Sequence, residues 1–229
     1  VYFVKDAEIN NELTYSVRSL ENFPHKRVWF YGGCPKNLKP TYHIMVEQDQ
    51  PTKWENIFKM FKMACSNKQI TTNFWLFNDD FFVLKNISET MPPQYNGELI
   101  DYIERIELRQ NGTDGFTERL RLLYHDLLEA NLSALNYEVH KPMLLNRKKL
   151  LEVLEKFPNT PGFRSLYGNY WKIGGEYKHD MKIKVLQFNG IEKVRNYSEF
   201  VSTSDESFRD GNVGELIRSM FKEKSRFEI

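Results

Sequence analysis

An apolar run in the middle of the chain is interrupted by two adjacent carboxylates. Residues 74–77 are Phe-Trp-Leu-Phe and predict a buried strand; Asn78, Asp79 and Asp80 follow it directly, before the sequence turns apolar again. Two neighbouring carboxylates beside a buried strand are costly to desolvate unless something neutralises them. A hard divalent cation does this through oxygen ligands and can hold a phosphate at the same time. A polar turn is the alternative interpretation, because Asn and Asp are turn-forming residues.

The composition favours a folded enzyme-sized domain. The chain has 229 residues, of which 41% are hydrophobic and 14% aromatic, enough for a packed core. Its net charge of +1 gives no reason to expect nucleic acid as a partner. Two cysteines, Cys34 and Cys65, lack metal-ligand spacing and fit a reducing compartment. No apolar stretch approaches the ~20 residues of a transmembrane helix, and no signal peptide is recognised, so we expect a cytoplasmic protein, with peripheral membrane association left open.

Strands and helices alternate over the first half of the chain. Stripes of apolar side chains predict one helix that begins at Asn11 and another over residues 54–64. Four apolar segments predict strands, at residues 1–4, 28–31, 42–46 and 74–77. This alternation predicts an α/β fold with a mostly parallel central sheet flanked by helices.

The second half of the chain is less regular. Residues 86–115 are predicted to be largely irregular, and residues 158–175, rich in glycine and aromatic side chains, to form a loop at the wall of a site. The other predicted elements are helices over residues 120–127, 150–157 and 213–221, a strand ending near Val139, and strands over residues 181–186 and 200–203.

Polar residues follow almost every predicted strand. Ligands of open α/β sheets bind beyond the carboxyl ends of the strands, so we expect these residues to share one edge. They are Lys5, Asp6 and Glu8; Gly32 and Gly33; Glu47, Gln48 and Asp49; Asn78, Asp79 and Asp80; His140; and Ser204 and Asp205. Loops are generally polar, but this concentration of acids suits a metal-bound pyrophosphate better than it suits turns alone.

Motifs of the commonest nucleotide and hydrolase sites are missing from the sequence. It contains no Gly-x-Gly-x-x-Gly after the first strand, no Walker lysine pattern and no Gly-x-Ser-x-Gly elbow. Two other residues are candidates by their positions. His140 lies between a predicted strand and Pro142, and Arg164 lies in an aromatic loop from which it could bind phosphate bidentately. The alternatives are a structural histidine and a surface salt bridge.

Six segments form an ordered pattern that spans nearly the whole chain. They are residues 11–20 (Asn-Glu-Leu-Thr-Tyr-Ser-Val-Arg-Ser-Leu), 77–80 (Phe-Asn-Asp-Asp), 140–143 (His-Lys-Pro-Met), 163–165 (Phe-Arg-Ser), 202–205 (Ser-Thr-Ser-Asp) and 221–228 (Phe-Lys-Glu-Lys-Ser-Arg-Phe-Glu). Together they resemble the Stealth family of hexose-1-phosphate transferases, which includes bacterial capsule polymerases and the catalytic part of the lysosomal-enzyme GlcNAc-1-phosphotransferase. Two positions depart from the family pattern. Asp6 leads almost directly into the helix, where the family has a Gly-ended stretch and a spacer, and Ser204 replaces an Asn.

The resemblance implies a glycosyltransferase-A-like fold and a transferase that uses a nucleotide-sugar donor. It implies transfer of a hexose-1-phosphate to a hydroxyl of a glycan or polyol acceptor, with release of a nucleoside monophosphate, in surface polysaccharide or glycan synthesis. From the resemblance to a family that includes bacterial capsule polymerases we expect a bacterial or phage-encoded protein. Two alternatives stay open: a metal-dependent glycosyltransferase that transfers the sugar itself, and a non-catalytic carbohydrate-binding module.

The resemblance also implies a role for each candidate residue. Asp79 and Asp80 would bind Mg²⁺ or Mn²⁺ on the pyrophosphate, while His140 would be the general acid/base or a phosphate contact. Arg164 would stabilise the charge of the transition state, and Asp205 would complete the metal or proton-transfer site. The candidates for donor binding are Asp6, Asn11, Arg18 and Asn78.

The predicted organisation is one catalytic domain over residues 1–229. Within it, residues 1–85 would form the nucleotide-sugar-binding half and residues 86–135 a helical insertion on the acceptor side. Residues 136–229 would complete the catalytic half.

Overall fold

The computed structural model describes residues 1–87, 91–180 and 182–229, which contain both strands and helices. The strands are β1 Tyr2–Val4, β2 Trp29–Gly32, β3 Tyr42–Ile44, β4 Asn73–Leu76, β5 Phe81–Val83, β6 Gln94–Tyr95, β7 Met143–Asn146, β8 Glu176–Tyr177, β9 Lys182–Ile183 and β10 Phe200–Thr203. The helices are α1 Asn11–Ser19, α2 Lys53–Ser66, α3 Leu99–Gln110, α4 Gly115–Glu129, α5 Arg147–Lys156, α6 Phe163–Tyr170, α7 Ile191–Tyr197, α8 Asp205–Arg209 and α9 Asn212–Met220.

The central sheet runs in the order β3-β2-β1-β4-β7. The first three strands pair in parallel. β4 joins them where Phe77 pairs in parallel with Tyr2 and its backbone N–H donates to the Val1 carbonyl at 2.9 Å. β7 closes the far side antiparallel to β4. The prediction of an α/β fold with a mostly parallel central sheet flanked by helices is therefore confirmed.

A second, smaller sheet has the strand order β5-β10-β9. β10 runs antiparallel to β5 and parallel to β9. β5 begins directly after Asp80, so the acidic segment links the two sheets. A two-stranded parallel ladder, β6 with β8, lies beside them.

Alternation along the strands sends side chains to two cores. Tyr2 and Val4 of β1 pack with Leu13 and Val17 of α1 on one face of the central sheet. Phe3 packs on the opposite face with Phe61 of α2, in a core that α5 and α6 complete. A buried Leu or Phe side chain contributes about 1.5–3 kcal/mol relative to exposure. The burial of these two layers therefore stabilises the packing of the sheet against α1 on one face and α2 on the other.

Two helices near the site begin at side-chain caps. Asn10 caps α1 by accepting a hydrogen bond from the backbone N–H of Leu13 at 2.9 Å. Thr52 and Glu55 form a reciprocal capping box at the start of α2. The predicted start of α1 is confirmed, and its cap is Asn10.

A pair of glycines lets the ends of β1 and β2 approach closely. Gly32 has a φ of +100°, and a Cβ there would lie 2.2 Å from the Val4 carbonyl oxygen. A Cβ on Gly33 would lie 2.8 Å from an Asp6 carboxylate oxygen. The diglycine is therefore explained by backbone packing.

Three predictions about the second half of the chain were wrong. Within the described residues no strand ends at Val139; Pro142 lacks a backbone donor, and the ladder begins after it at Met143. The stretch 86–115 contains α3, with Asn111 at a φ of +56° marking its end. The stretch 158–175 contains α6, which follows Gly162 at a φ of +78°. In both stretches the turn-forming residues mark the ends of helices, whereas the prediction gave the whole stretch an irregular structure.

In the part of the chain that the structure describes, none of the helices combines the length and apolar character needed to cross a membrane.

Candidate active site

The acidic segment after β4 is a turn whose side chains diverge. The backbone N–H of Phe81 donates to the carbonyl of Asn78 at 3.4 Å, so Asp79 and Asp80 occupy the turn itself. Asn78 and Asp79 line a cavity, whereas Asp80 is 8% exposed and faces the smaller sheet. The segment is therefore a turn, and two of its side chains, those of Asn78 and Asp79, line the cavity.

The cavity has a volume of about 500 Å³ and opens at the carboxyl end of β4. This volume is in the range of sites for small molecules and cofactors. One wall is aromatic, where the Trp54 ring stacks on Phe163 at 3.9 Å between centroids. The polar and charged side chains that line the cavity are Thr52, Lys53, Asn78, Asp79, Arg119, Glu138, His140 and Arg164.

Asp79 is held at the cavity by the residue that caps α1. The Asn10 amide nitrogen donates to Oδ2 of Asp79 at 2.9 Å. Burial raises the pKa of Asp79, the hydrogen bond from Asn10 lowers it in part, and the charge of Asp80 raises it further. A ligand that brings positive charge to this carboxylate would favour its ionised form.

Asp80 has a cation of its own. Lys182 Nζ lies 2.7 Å from Oδ2 of Asp80, and the Ser202 hydroxyl donates to the same oxygen at 2.9 Å. Among the described residues, the buried Oδ1 of Asp80 has no hydrogen-bond partner. The sequence predicts that Asp79 and Asp80 share one cation, whereas the structure gives the two carboxylates separate partners.

His140 is oriented by an aspartate that the sequence analysis missed. Asp180 Oδ1 accepts from the His140 backbone N–H at 2.7 Å, and its Oδ2 lies 2.5 Å from Nδ1. Burial would raise the pKa of Asp180, but the hydrogen bonds that it accepts from the His140 imidazole and backbone outweigh this, and its pKa lies below the ordinary value. An ionised carboxylate only accepts hydrogen bonds, so we assign the proton to Nδ1 and leave Nε2 free. Asp180 lies forty residues away in sequence, and no local pattern pairs the two.

Arg164 is buried and bound to protein oxygens. It donates to the carbonyls of Val139 and Lys141 at 2.6 and 2.9 Å and to the side chain of Asn78 at 3.0 Å. Burial lowers its pKa, and nearby carboxylates raise it in part. The guanidinium, 6% exposed, thus fixes the loop that carries His140 and orients Asn78. These contacts are neither a surface salt bridge nor a bidentate phosphate-binding arrangement.

Asp205 lies near the carboxyl group of Glu12 at the end of β10. Thr203 donates to Glu12 at 2.8 Å. Burial, together with the charges of Asp205 and Asp80, raises the pKa of Glu12 to about 8. Asp205 itself is exposed at the first residue of α8. Glu12 was part of the α1 motif, but nothing in its sequence context indicates this environment.

The remaining candidates for donor binding do not line the cavity. Arg18 forms a bidentate pair with Glu228, at 2.9 and 2.7 Å, and also donates to the Phe221 carbonyl at 3.0 Å. Asp6 and Asn11 are exposed. These contacts give Arg18 a structural role, because they hold residues 221–228, the C-terminal segment, against α1.

A divalent cation fits this site through Asp79, which lines the cavity. Within residues 1–87, 91–180 and 182–229, no cluster of three His, Cys, Asp or Glu side chains could hold a metal. Mg²⁺ is commonly bound by one or two carboxylates together with substrate phosphates, however. Asp79 faces the cavity and fits such a ligand, whereas Oδ2 of Asp80 is taken by Lys182 and Ser202.

Comparisons with known proteins give distant structural similarity. No model of a protein family and no curated protein matches the chain. The chain is similar to a crystal structure of a glycosyltransferase involved in the glycosylation of the major capsid of PBCV-1, at 13% identity and a TM-score of 0.38, over 97% of this chain and 99% of that one. It is also similar to mouse xyloside xylosyltransferase 1 in its apo form, at 11% identity and a TM-score of 0.34, over 99% and 94%. At scores this low the likeness assigns neither a fold family nor an activity.

Proposed function

We propose that this protein is a transferase that uses a nucleotide-sugar donor and moves a hexose-1-phosphate to a hydroxyl of a glycan or polyol acceptor. One observation carries the proposal: Asp79 and the Asp180-supported His140 line the same cavity at the carboxyl end of the central sheet. A carboxylate that can hold a metal-bound phosphate and a histidine that can accept a proton are two groups that support such a transfer.

The cavity offers complementary groups for the donor. Lys53 lies near enough to Asp79 to lower the pKa of that carboxyl group, although burial, the largest effect, raises it. Lys53 and Arg119 give the cavity positive charge that suits phosphates, and Trp54 with Phe163 gives a flat apolar wall for a base or sugar ring. A Mg²⁺ or Mn²⁺ ion held by Asp79 would neutralise the charge of the pyrophosphate.

The transfer balances with His140 as general base. The acceptor hydroxyl gives its proton to Nε2 of His140 as its oxygen bonds to the β-phosphorus of the donor. The bond from that phosphorus to the bridging oxygen breaks, and the nucleoside monophosphate leaves with the electron pair. Asp180 stabilises the imidazolium that forms, and Arg164 holds the loop of His140 in place.

The alternative enzyme is a metal-dependent glycosyltransferase in the same cavity. There the acceptor attacks the anomeric carbon, and the nucleoside diphosphate leaves. The histidine base and the carboxylate serve either reaction, so the released nucleotide distinguishes them. The resemblance to the Stealth family supports the phosphate transfer.

The test is incubation of the protein with a panel of sugar nucleotides, Mn²⁺ or Mg²⁺, and mixed glycan and polyol acceptors, with chromatographic identification of the nucleotide. We expect a nucleoside monophosphate. A nucleoside diphosphate would establish the glycosyltransferase alternative.

A matched pair of variants links the chemistry to the cavity. Asp79→Asn removes the ligand charge and should abolish metal-dependent donor binding, whereas Asp49→Asn, at an exposed carboxylate outside the cavity lining, should leave it intact. A folded protein that binds glycans but ignores every nucleotide would be a carbohydrate-binding module.

A further inference from the structure

A second concavity lies at the opposite edge of the central sheet, where β1, β2 and β4 begin. We call it the basal groove; its volume is about 630 Å³, against about 500 Å³ for the cavity around Asp79. Its lining residues that matter here are His25, Lys26, Arg27, Gln69, Thr71 and Trp75. None of them belongs to the site described above.

The charge of the basal groove has one sign. Lys26 and Arg27 line it, and Arg226 donates to Nε2 of His25 at 3.2 Å from the C-terminal segment. No acidic side chain is among its described lining residues. Ion pairs between described residues include none of these three cations. A cleft lined by charge of one sign concentrates ligands of the opposite sign.

The other side chains of the groove suit sugar rings. Trp75 is half-buried and stands edge-on to Phe23, with 5.2 Å between ring centroids, so part of the indole remains accessible. Gln69, Thr71 and Asn73 add amide and hydroxyl groups that exchange hydrogen bonds with hydroxyls. Nucleic acid would require a broader basic surface than a chain of net charge +1 provides.

We propose that the basal groove binds a segment of an anionic glycan, with its phosphates at Lys26, Arg27 and Arg226 and its sugar rings against Trp75. The identification of this glycan as phosphodiester-linked rests on the proposed function, because such a chain is the product of that transfer. The groove lies at the edge away from His140 and Asp79, so it holds the chain without taking part in bond formation.

The test is calorimetric titration of the protein with two short oligosaccharides. One consists of hexoses joined through phosphodiesters, and the other of the same hexoses joined without phosphate. We expect the first to bind and the second to bind at least about tenfold more weakly, a difference of about 1.4 kcal/mol. Equal affinities would overturn the proposal.

A charge-reversal variant locates the binding. Lys26→Glu combined with Arg27→Glu should weaken the phosphodiester oligosaccharide at least about tenfold. The matched control, Lys148→Glu combined with Lys149→Glu, alters two exposed lysines of α5 and should leave the affinity unchanged. If the reversal lowers the melting temperature, Lys26→Ala with Arg27→Ala makes the same test. Unchanged affinity in a folded groove variant would overturn the proposal.

Two further measurements separate the possible outcomes. Excess inorganic phosphate that displaces the oligosaccharide completely would reveal a simple anion site and overturn the glycan assignment. Nucleotide release with a small soluble acceptor should be equal in wild type and groove variant, since the donor binds elsewhere. Absence of release from every donor would refute the proposed function, whereas the titrations, which contain no donor, test the groove directly.

Discussion

Two long-range side-chain pairs of this chain, Arg18 with Glu228 and His140 with Asp180, have different surroundings. Arg18 and Glu228 form one pair, with side chains 13% and 4% exposed, and neither residue lines the cavity. His140 and Asp180 form the other, and His140 opens into the cavity. The first pair joins residues 11–20 to residues 221–228, two of the segments that resemble the Stealth family. These two segments therefore contact each other outside the cavity, whereas the segments that contain Asp79 and His140 line it.

The largest expected effect would break the second pair. His140→Ala removes the proposed base and should lower kcat by roughly 10²–10⁴-fold. Donor binding should change little, because Asp79 and the cavity cations supply most of it. Stopped-flow or single-turnover kinetics, combined with donor titration, measures both quantities.

Asp180→Asn is the companion variant for this dyad. It keeps a hydrogen-bonding side chain but loses the charge that stabilises an imidazolium, so kcat should fall and the pH profile of kcat should shift. If His140 is only a packed structural residue, both variants will lose stability, donor binding and turnover together. That outcome would mean that the contact between His140 and Asp180, like the ion pair of Arg18 and Glu228, has only a structural role.

Arg164 has features of both pairs, because it lines the cavity and also binds backbone carbonyls of the loop that carries His140. Its replacement by Lys keeps the charge but cannot maintain all three observed hydrogen bonds, and one hydrogen bond from a charged donor contributes about 1.5–3 kcal/mol. We expect a loss of unfolding free energy on the order of 3 kcal/mol, together with a lower kcat because the loop of His140 shifts. Urea denaturation and kinetics at low temperature measure the two losses separately. A lower kcat at full stability would mean that Arg164 contacts the substrate.

Local patterns predicted much of the fold but less of the site. Strand alternation and the Asn10 cap are properties of neighbouring residues, so β1, α1 and β4 were predicted closely. Asp180 and Lys182 reach His140 and Asp80 across 40 and 102 positions, through a pairing of β9 with β10 that no local signal specifies. The burial of Arg164 likewise depends on α6, a helix that the glycine-containing sequence around residue 162 did not predict. Long-range contacts, then, are the part of the site that sequence patterns did not supply.

The first ion pair should control stability. Arg18→Ala and Glu228→Gln should each lower the free energy of unfolding by about 1–3 kcal/mol, with kcat unchanged in the folded fraction. Burial would raise the pKa of Glu228, but the hydrogen bond and charge of Arg18 outweigh it, so the folded pKa lies below the ordinary 4.5. The stabilisation is therefore present above pH 4.5 and lost as the pH falls through the folded pKa. Chemical denaturation of both variants and of the double variant across pH 3–6 tests this. Loss of kcat in these variants would connect the C-terminal segment to the site.

The last prediction concerns Glu12, a residue of α1 whose carboxyl group accepts a hydrogen bond from Thr203 at the end of β10. Its pKa is about 8 when folded, because burial and the charges of Asp205 and Asp80 disfavour ionisation. The unfolded group titrates near 4.5, so its contribution to stability is complete below that pH and is lost as the pH rises through 8. Glu12→Gln cannot ionise and should flatten the fall in melting temperature between pH 5 and 8, while Glu8→Gln, at an exposed carboxylate, should leave it unchanged. If the slope persists in Glu12→Gln, another group binds the proton, and this carboxyl group belongs with the structural pair of Arg18 and Glu228.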